Sequence, residues 1–179
     1  MTVRTFRNFT PEIADGAYID PTALVIGQVK IGADSSVWPM TVIRGDINTV
    51  SIGKRTNIQD GSILHVTHDG PYSPGGANLV IGNEVTIGHS VTLHACLLED
   101  NCLIGIGSIV LDGAVVRQNA MLGAGSLVPG GKELEGGFLW MGRPAKKMRE
   151  LTEKEVEYLS YSAEHYVKVK QMHEPPDNN

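Results

Sequence analysis

The sequence predicts an all-β chain wound as a parallel β-helix of hexapeptide repeats, with a single α-helix at its C-terminal end. Three observations carry this. Aliphatic residues return every six positions over most of the chain. Glycine accounts for 21 of 179 residues while aromatics are only 6%, a composition suited to tight repeated turns around aliphatic layers. The segment with a helix-capping signature lies beyond the repeats, near the end.

The repeat is legible residue by residue. Ile13, Ile19, Val25, Ile31, Val37 and Ile43 stand six apart, and after a short insertion the series resumes at Ile52, Ile58 and Leu64. After a longer interruption come Ile81, Ile87 and Leu93; one slipped residue later follow Leu98, Ile104, Val110, Val116, Leu122 and Val128. Glycine follows the aliphatic residue at Gly32, Gly53, Gly82, Gly88, Gly105 and Gly123. A small residue usually stands four places after it, as at Ala23, Ser35, Thr41, Thr56, Ser62, Ser108 and Ala120. An α-helix repeats every 3.6 residues and has no use for a step of six, whereas strands alternate every two, so six residues return a side chain to the same side. Short strands joined by sharp corners satisfy the pattern: one hexapeptide makes one flat face, and three faces close a triangular coil. Eighteen landings then make about six coils, a prism about 29 Å tall at about 4.8 Å per coil.

The other elements are read against that period. Residues 66–80 are rich in turn formers and are expected to leave the prism as a loop between two coils. Cys102 falls at a small-residue position and reads as a buried, small apolar side chain. Beyond Val128 the repeat is expected to end in the glycine-rich stretch from Pro129 to Pro144. That divides the chain into a β-helix domain over 1–145 and a helix with its tail over 146–179. Thr152 and Glu155 form a capping box, so the helix runs from there to about Met172 and packs along one prism face, with a frayed tail from Glu174 to Asn179.

Composition excludes several classes of function. A net charge of −5 gives no electrostatic basis for binding nucleic acid or an anionic membrane. No apolar run approaches the roughly 20 residues that span a bilayer, and the first residues lack the apolar stretch of a secretory signal. Two cysteines, Cys96 and Cys102, provide no disulfide framework. A cytoplasmic protein is expected.

Candidate chemistry emerges when the six histidines are placed on the coils. The faces of Ile52, Ile58 and Leu64 are the first, second and third. His65 follows Leu64 and His94 follows Leu93, so both occupy the same outward position on the third face, one coil apart. Neighbouring strands bring such residues to about 5 Å, close enough to share one metal ion at bonds of about 2.0 Å. His89 stands two residues after Ile87, on the second face. It reaches the pair only if the second face of one subunit meets the third face of the next, which predicts a homotrimer with intersubunit sites. Asp60 lies one coil below His89, positioned to orient its imidazole, with Gln59 beside it. Arg44 stacks one coil below His65 with Asp46 two residues on, an arginine–carboxylate pair suited to clamping the subunit seam.

The runs Arg44-Gly45-Asp46, Asn57-Ile58-Gln59-Asp60-Gly61 through Leu64-His65, and Gly88-His89 through Leu93-His94 resemble the γ-class carbonic anhydrase family, nearest its compact bacterial branch. The hexapeptide register extends the similarity over about residues 13–145, and Gly142-Arg-Pro-Ala-Lys146 is similar to the exit from such coils. The resemblance implies a left-handed coil. It implies Zn2+, or Fe2+ in its place, on His65, His89 and His94, with a fourth position open to water. The implied reaction is the hydration of CO2 to bicarbonate by hydroxide on that metal, with Gln59 hydrogen-bonding the metal-bound water and Asn57 as a second polar contact. This chain departs from the best-known active members in two places. Ile47 stands where they carry a glutamate directly after the Arg-Gly-Asp run, and the loop between the first two metal histidines, acidic in theirs, holds only Asp69. Those glutamates are thought to relay the released proton; His68, or Tyr161 on the terminal helix, is the replacement this chain offers.

Two other functions fit the same coils. The missing glutamates favour a metal-bearing trimer with slow or lost catalysis. A hexapeptide acyltransferase using an acyl-CoA needs a general-base histidine in a seam but no metal triad, and the three registered histidines argue against it.

Overall fold

The structure, a computed structural model, describes residues 2–173. The tail expected to fray, Glu174–Asn179, lies outside the described residues. Short parallel strands stack on three faces of a triangular prism. Strands Leu24–Ile31 and Val42–Ile52 run round a corner without a break and join the first and third faces into one sheet.

The six-residue step becomes three columns of side chains filling the prism. Ile13, Ile31, Ile52, Ile81, Leu98, Val116 and Leu134 stack in register behind the first face. Ile19, Val37, Ile58, Ile87, Ile104, Leu122 and Trp140 do so behind the second. Val3, Val25, Ile43, Leu64, Leu93, Val110 and Val128 fill the third. All eighteen residues of the sequence series are present; Ile13 and Ile19, in the first coil, are partly buried and the rest are buried. The coil is left-handed.

The prism is taller than the sequence reading allowed. The repeat does not end at Val128: Leu134 and Trp140 continue the step of six, and Ala145, fully buried, begins an eighth level through its amide bond to the Leu127 carbonyl (2.8 Å). The glycines that suggested an exit are corner residues, with Gly131 and Gly137 at φ +69° and +77°. A strand from Lys146 to Glu150 then pairs antiparallel with Phe138–Met141 and covers the open edge.

Two backbone devices explain why so simple a sequence winds so regularly. At the corner between the first and second faces, Gly16, Asp34, Arg55, Glu84, Asn101, Asn119 and Gly137 all adopt left-handed φ between +55° and +77°. Only two are glycine, so the sequence does not advertise this corner. The glycines that follow the interior aliphatics serve a different need. A Cβ on Gly32 would lie 2.6 Å from the Gly53 carbonyl, and one on Gly53 2.5 Å from that of Gly82. Backbone rests on backbone there.

The interruption of the repeat is shorter than expected. Val66 and Leu79 are fully buried in the core, and the loop proper spans 67–78, closed at its base by reciprocal bonds between Thr67 and Ala77 (3.0 Å each). The slipped residue between Leu93 and Leu98 falls at a corner where Ala95 is left-handed, φ +46°.

Helix α1 (Glu153–His173) starts at the predicted cap, where Thr152 N donates to Glu155 Oε2 (2.9 Å) and Glu155 N to Thr152 Oγ1 (3.3 Å). It lies along the outward side of the second face. Leu159 and Ala163 are buried there, Ser162 Oγ meets Thr86 Oγ1 at 3.0 Å, and Tyr166 packs edge-on against Trp38. Cys96 and Cys102 are buried free thiols, pushed up to about 12 chiefly by burial, and so are inert packing residues. Among the described residues no helix is long and apolar enough to cross a membrane.

Candidate metal centre

His65 and His94 end the strands Ile63–His65 and Thr92–His94, which pair with His94 directly opposite His65. Their neighbours Leu64 and Leu93 are fully buried, so strand alternation turns both imidazoles outward on the third face. Nδ1 of His65 lies 3.2 Å from Nε2 of His94. The other nitrogen of each ring meets a carboxylate: His65 Nε2 is 3.1 Å from Asp46 Oδ1, and His94 Nδ1 is 2.7 Å from Asp112 Oδ1. His89, at the end of the second face, is held the same way, with Nδ1 2.9 Å from Asp60 Oδ2.

Each of the three histidines therefore commits one ring nitrogen to its own aspartate. A neutral imidazole has one N–H, and donating it to a carboxylate leaves the lone pair on the opposite nitrogen. This is how metal-binding histidines are oriented and made more basic. The donor set fits a metal ion on a second count. In a tetrahedral site with bonds of about 2.0–2.1 Å, two nitrogens stand roughly 3.3 Å apart, close to the His65–His94 separation. Burial, with the Arg44 and His94 charges, draws the His65 imidazole below its ordinary value despite Asp46, which favours the neutral, ligating form. Burial pushes Asp46 up, but hydrogen bonds from Arg44 and His65 outweigh it and hold the carboxyl below the usual range. Asp112 behaves likewise, with Thr67 and His94 outweighing burial.

His89 stands on a different face from the pair, and among the described residues no three metal-ligating side chains converge within the chain. The arginine and carboxylate expected at the seam meet each other within the chain. Arg44 Nη1 lies 2.6 Å from Asp46 Oδ2, because residues two apart on a strand share one side. Asn57 and Gln59 flank the interior Ile58 and lie buried on the outward side of the second face, where α1 docks. Gln59 Nε2 donates to Asn57 Oδ1 (3.1 Å), Asn57 Nδ2 to Thr86 Oγ1 (2.9 Å), and Thr86 reaches Ser162 of α1. His68 is exposed in the loop beside Gly70, and Tyr161 is exposed on α1, stacked on His165 with centroids 5.9 Å apart. Among the described residues no hydrogen bond or ring contact joins either of them to His65, His89 or His94.

Sequence reasoning missed four residues of this arrangement: Asp112, Thr67, Thr86 and Ser162. Asp112 was not set by the repeat: with Leu93 paired to Val110, one coil on from His94 falls at Leu111, and Asp112 stands one residue past it. Ser162 carried no signal either, because the docking of α1 is not periodic.

An elongated hexapeptide-repeat β-helix with outward, aspartate-held histidines defines a class of protein, and comparison with known proteins agrees. The chain is similar over its whole length to a solved hexapeptide transferase family protein from Anaplasma phagocytophilum, with TM-score 0.90, 42% identity, and 97% of this chain and 98% of that one covered. No family profile matches. Among curated proteins it is 51% identical to protein YrdA of Escherichia coli, covering 94% of this chain and 91% of that one. It is 43% identical to a carbonic anhydrase of Geobacillus kaustophilus, covering 94% and 88%. The chain belongs to the γ-class carbonic anhydrase family.

Proposed function

We propose that the chain is a metal-dependent carbonic anhydrase, hydrating CO2 to bicarbonate at sites between the subunits of a homotrimer. The observation that carries this is the set of three histidines each oriented by its own aspartate, two of them facing one another at 3.2 Å and the third on the adjoining face. Zn2+, or Fe2+, held by His65 and His94 of one subunit and His89 of the next would acidify a water at its open position, supplying a hydroxide nucleophile at neutral pH.

The residues of the chain do the rest. Asp46, Asp112 and Asp60 hold the imidazoles in the ligating tautomer, and Arg44 keeps Asp46 ionised. Gln59 gives its amide N–H to Asn57, so its carbonyl oxygen is left to accept a hydrogen bond from water in the seam. The outward side of the third face supports trimerisation: Val42, Ile63, Thr92, Ile109 and Leu127 stack in one row, aliphatic except for Thr92, with Ile63 50% exposed in the single chain.

A second reading, a metal-bearing trimer with slow turnover, is favoured by the proton path. Ile47 is 43% exposed beside Asp46, and the loop's only acid, Asp69, is occupied in capping the Gly75 amide (2.7 Å). Stopped-flow CO2 hydration on trimer of assayed metal content, zinc-loaded and anaerobically iron-loaded, separates the two. Metal-dependent acceleration that disappears in His94→Ala supports the enzyme; a fully loaded, inert trimer rejects it in favour of the second reading.

A further inference from the structure

The Asp112 carboxylate holds two partners at once. Its Oδ1 accepts from His94 Nδ1 at 2.7 Å, and its Oδ2 accepts from the hydroxyl of Thr67. Thr67 is the first residue of the loop over 67–78 and its structural base, exchanging both backbone bonds with Ala77. The Thr67 carbonyl also accepts from Asn48 Nδ2 (3.3 Å). Beyond that base the loop is closed on itself, through reciprocal Gly70–Ser73 bonds (3.2 and 3.0 Å) and the Asp69 cap on Gly75. It is a small lobe joined to the third face at one end, and one of its ties runs through the carboxylate that orients His94.

We infer that Asp112 is a positioning residue for His94 and that Thr67 latches the loop to it, so that loop and metal ligand move as a unit and release of the latch releases the metal. The inference rests on the metal reading of the three histidines. Its physical basis is that a carboxylate is located by all its hydrogen bonds together. Without the Thr67 hydroxyl, Oδ2 turns to solvent, the carboxylate gains torsional freedom, and the His94 ring it steers is no longer held toward His65. A carboxylate partner of a ligating histidine is worth about 10- to 100-fold in metal affinity, and the Thr67 latch accounts for a share of that.

The test uses zinc-loaded trimer and reads the rate at which zinc passes to a competing chromogenic chelator, together with the visible spectrum of the cobalt-substituted protein. Asp112→Asn is expected to release zinc about 10- to 100-fold faster and to shift the cobalt bands. Thr67→Val is expected to release faster by a smaller factor, and Thr67→Ser, which keeps the hydroxyl, to behave as wild type. Wild-type release and an unchanged cobalt spectrum in both Asp112→Asn and Thr67→Val would overturn the inference while leaving the metal site intact. If wild-type zinc is retained in His94→Ala, the metal reading itself fails, which is a different result from either variant's.

Discussion

The Nδ1 atom of His65 and the Nε2 atom of His94 face one another at 3.2 Å, each with its opposite nitrogen tied to an aspartate. Two lone pairs at that separation repel unless a cation lies between them. The arrangement is held by strand register, with His94 paired to His65 in the ladder, so little side-chain freedom remains to be lost when a metal binds. In the proposed site the pair would supply two of the ligands from one face, and His89, on another face, would come from a neighbouring subunit.

That division of ligands predicts complementation. His65→Ala and His89→Ala should each lose stoichiometric zinc. Co-expressed, they should recover part of it, because about one seam in four on random assortment joins an intact pair to an intact His89. Metal analysis of the separated trimers checks this, and no recovery in mixed trimers would place all three ligands in one subunit.

The buried chain Gln59–Asn57–Thr86–Ser162 predicts an effect of the helix on the seam. Ser162→Ala leaves the Thr86 hydroxyl short of a partner in a buried site, at a cost of about 1–3 kcal/mol, measurable by urea unfolding. It also removes the hydroxyl that fixes which end of the Gln59 amide faces outward, so CO2 hydration should fall at unchanged metal content. Lost stability with full turnover would make the chain a purely structural one.

Two kinds of glycine should fail in different ways. Gly53→Ala drives a Cβ to 2.5 Å from the Gly82 backbone, so the coils must part, costing about 1–3 kcal/mol. Gly107 has open space around its virtual Cβ but sits at φ +67°, so Gly107→Ala should cost about 1–2 kcal/mol through the backbone alone. Chemical denaturation distinguishes them when paired with amide exchange, which for Gly53→Ala should rise in the Gly82 coil as well.

Acid should loosen the start of α1. Hydrogen bonds from Arg149 and the Thr152 amide draw Glu155 down to about 2 from its ordinary 4.5. A depressed carboxyl stabilises the fold above its unfolded value and loses that contribution as pH falls through the folded one. The helix start should therefore fray between about pH 4.5 and 2, seen as faster amide exchange at residues 153–156, and Glu155→Gln should show that exchange already at neutral pH.

The repeat determined most of the fold without any structure, because a six-residue period has one economical solution in short strands and corners, and each aliphatic landing reports its own burial. It also set His65 opposite His94, since both sit one residue past an interior leucine. Asp60 under His89 followed from the same bookkeeping. The repeat lost authority where composition imitated a break. The glycines after Val128 looked like an exit, yet Gly131 and Gly137 are corners of a further coil.

Tertiary structure alone decided three things. The left-handed corner of Asp34, Arg55, Glu84, Asn101 and Asn119 is imposed by stacking, most plainly at Arg55 and Glu84, which lack the tolerance of Asp and Asn for positive φ. The loop tie from Thr67 to Asp112 joins residues 45 apart that share no period. The contact of Ser162 with Thr86 joins residues 76 apart and depends on where α1 comes to rest. Periodic patterns are written in the chain because every coil repeats the same local contacts. Ties between the coil and what leaves it are made once, and only the folded molecule brings them together.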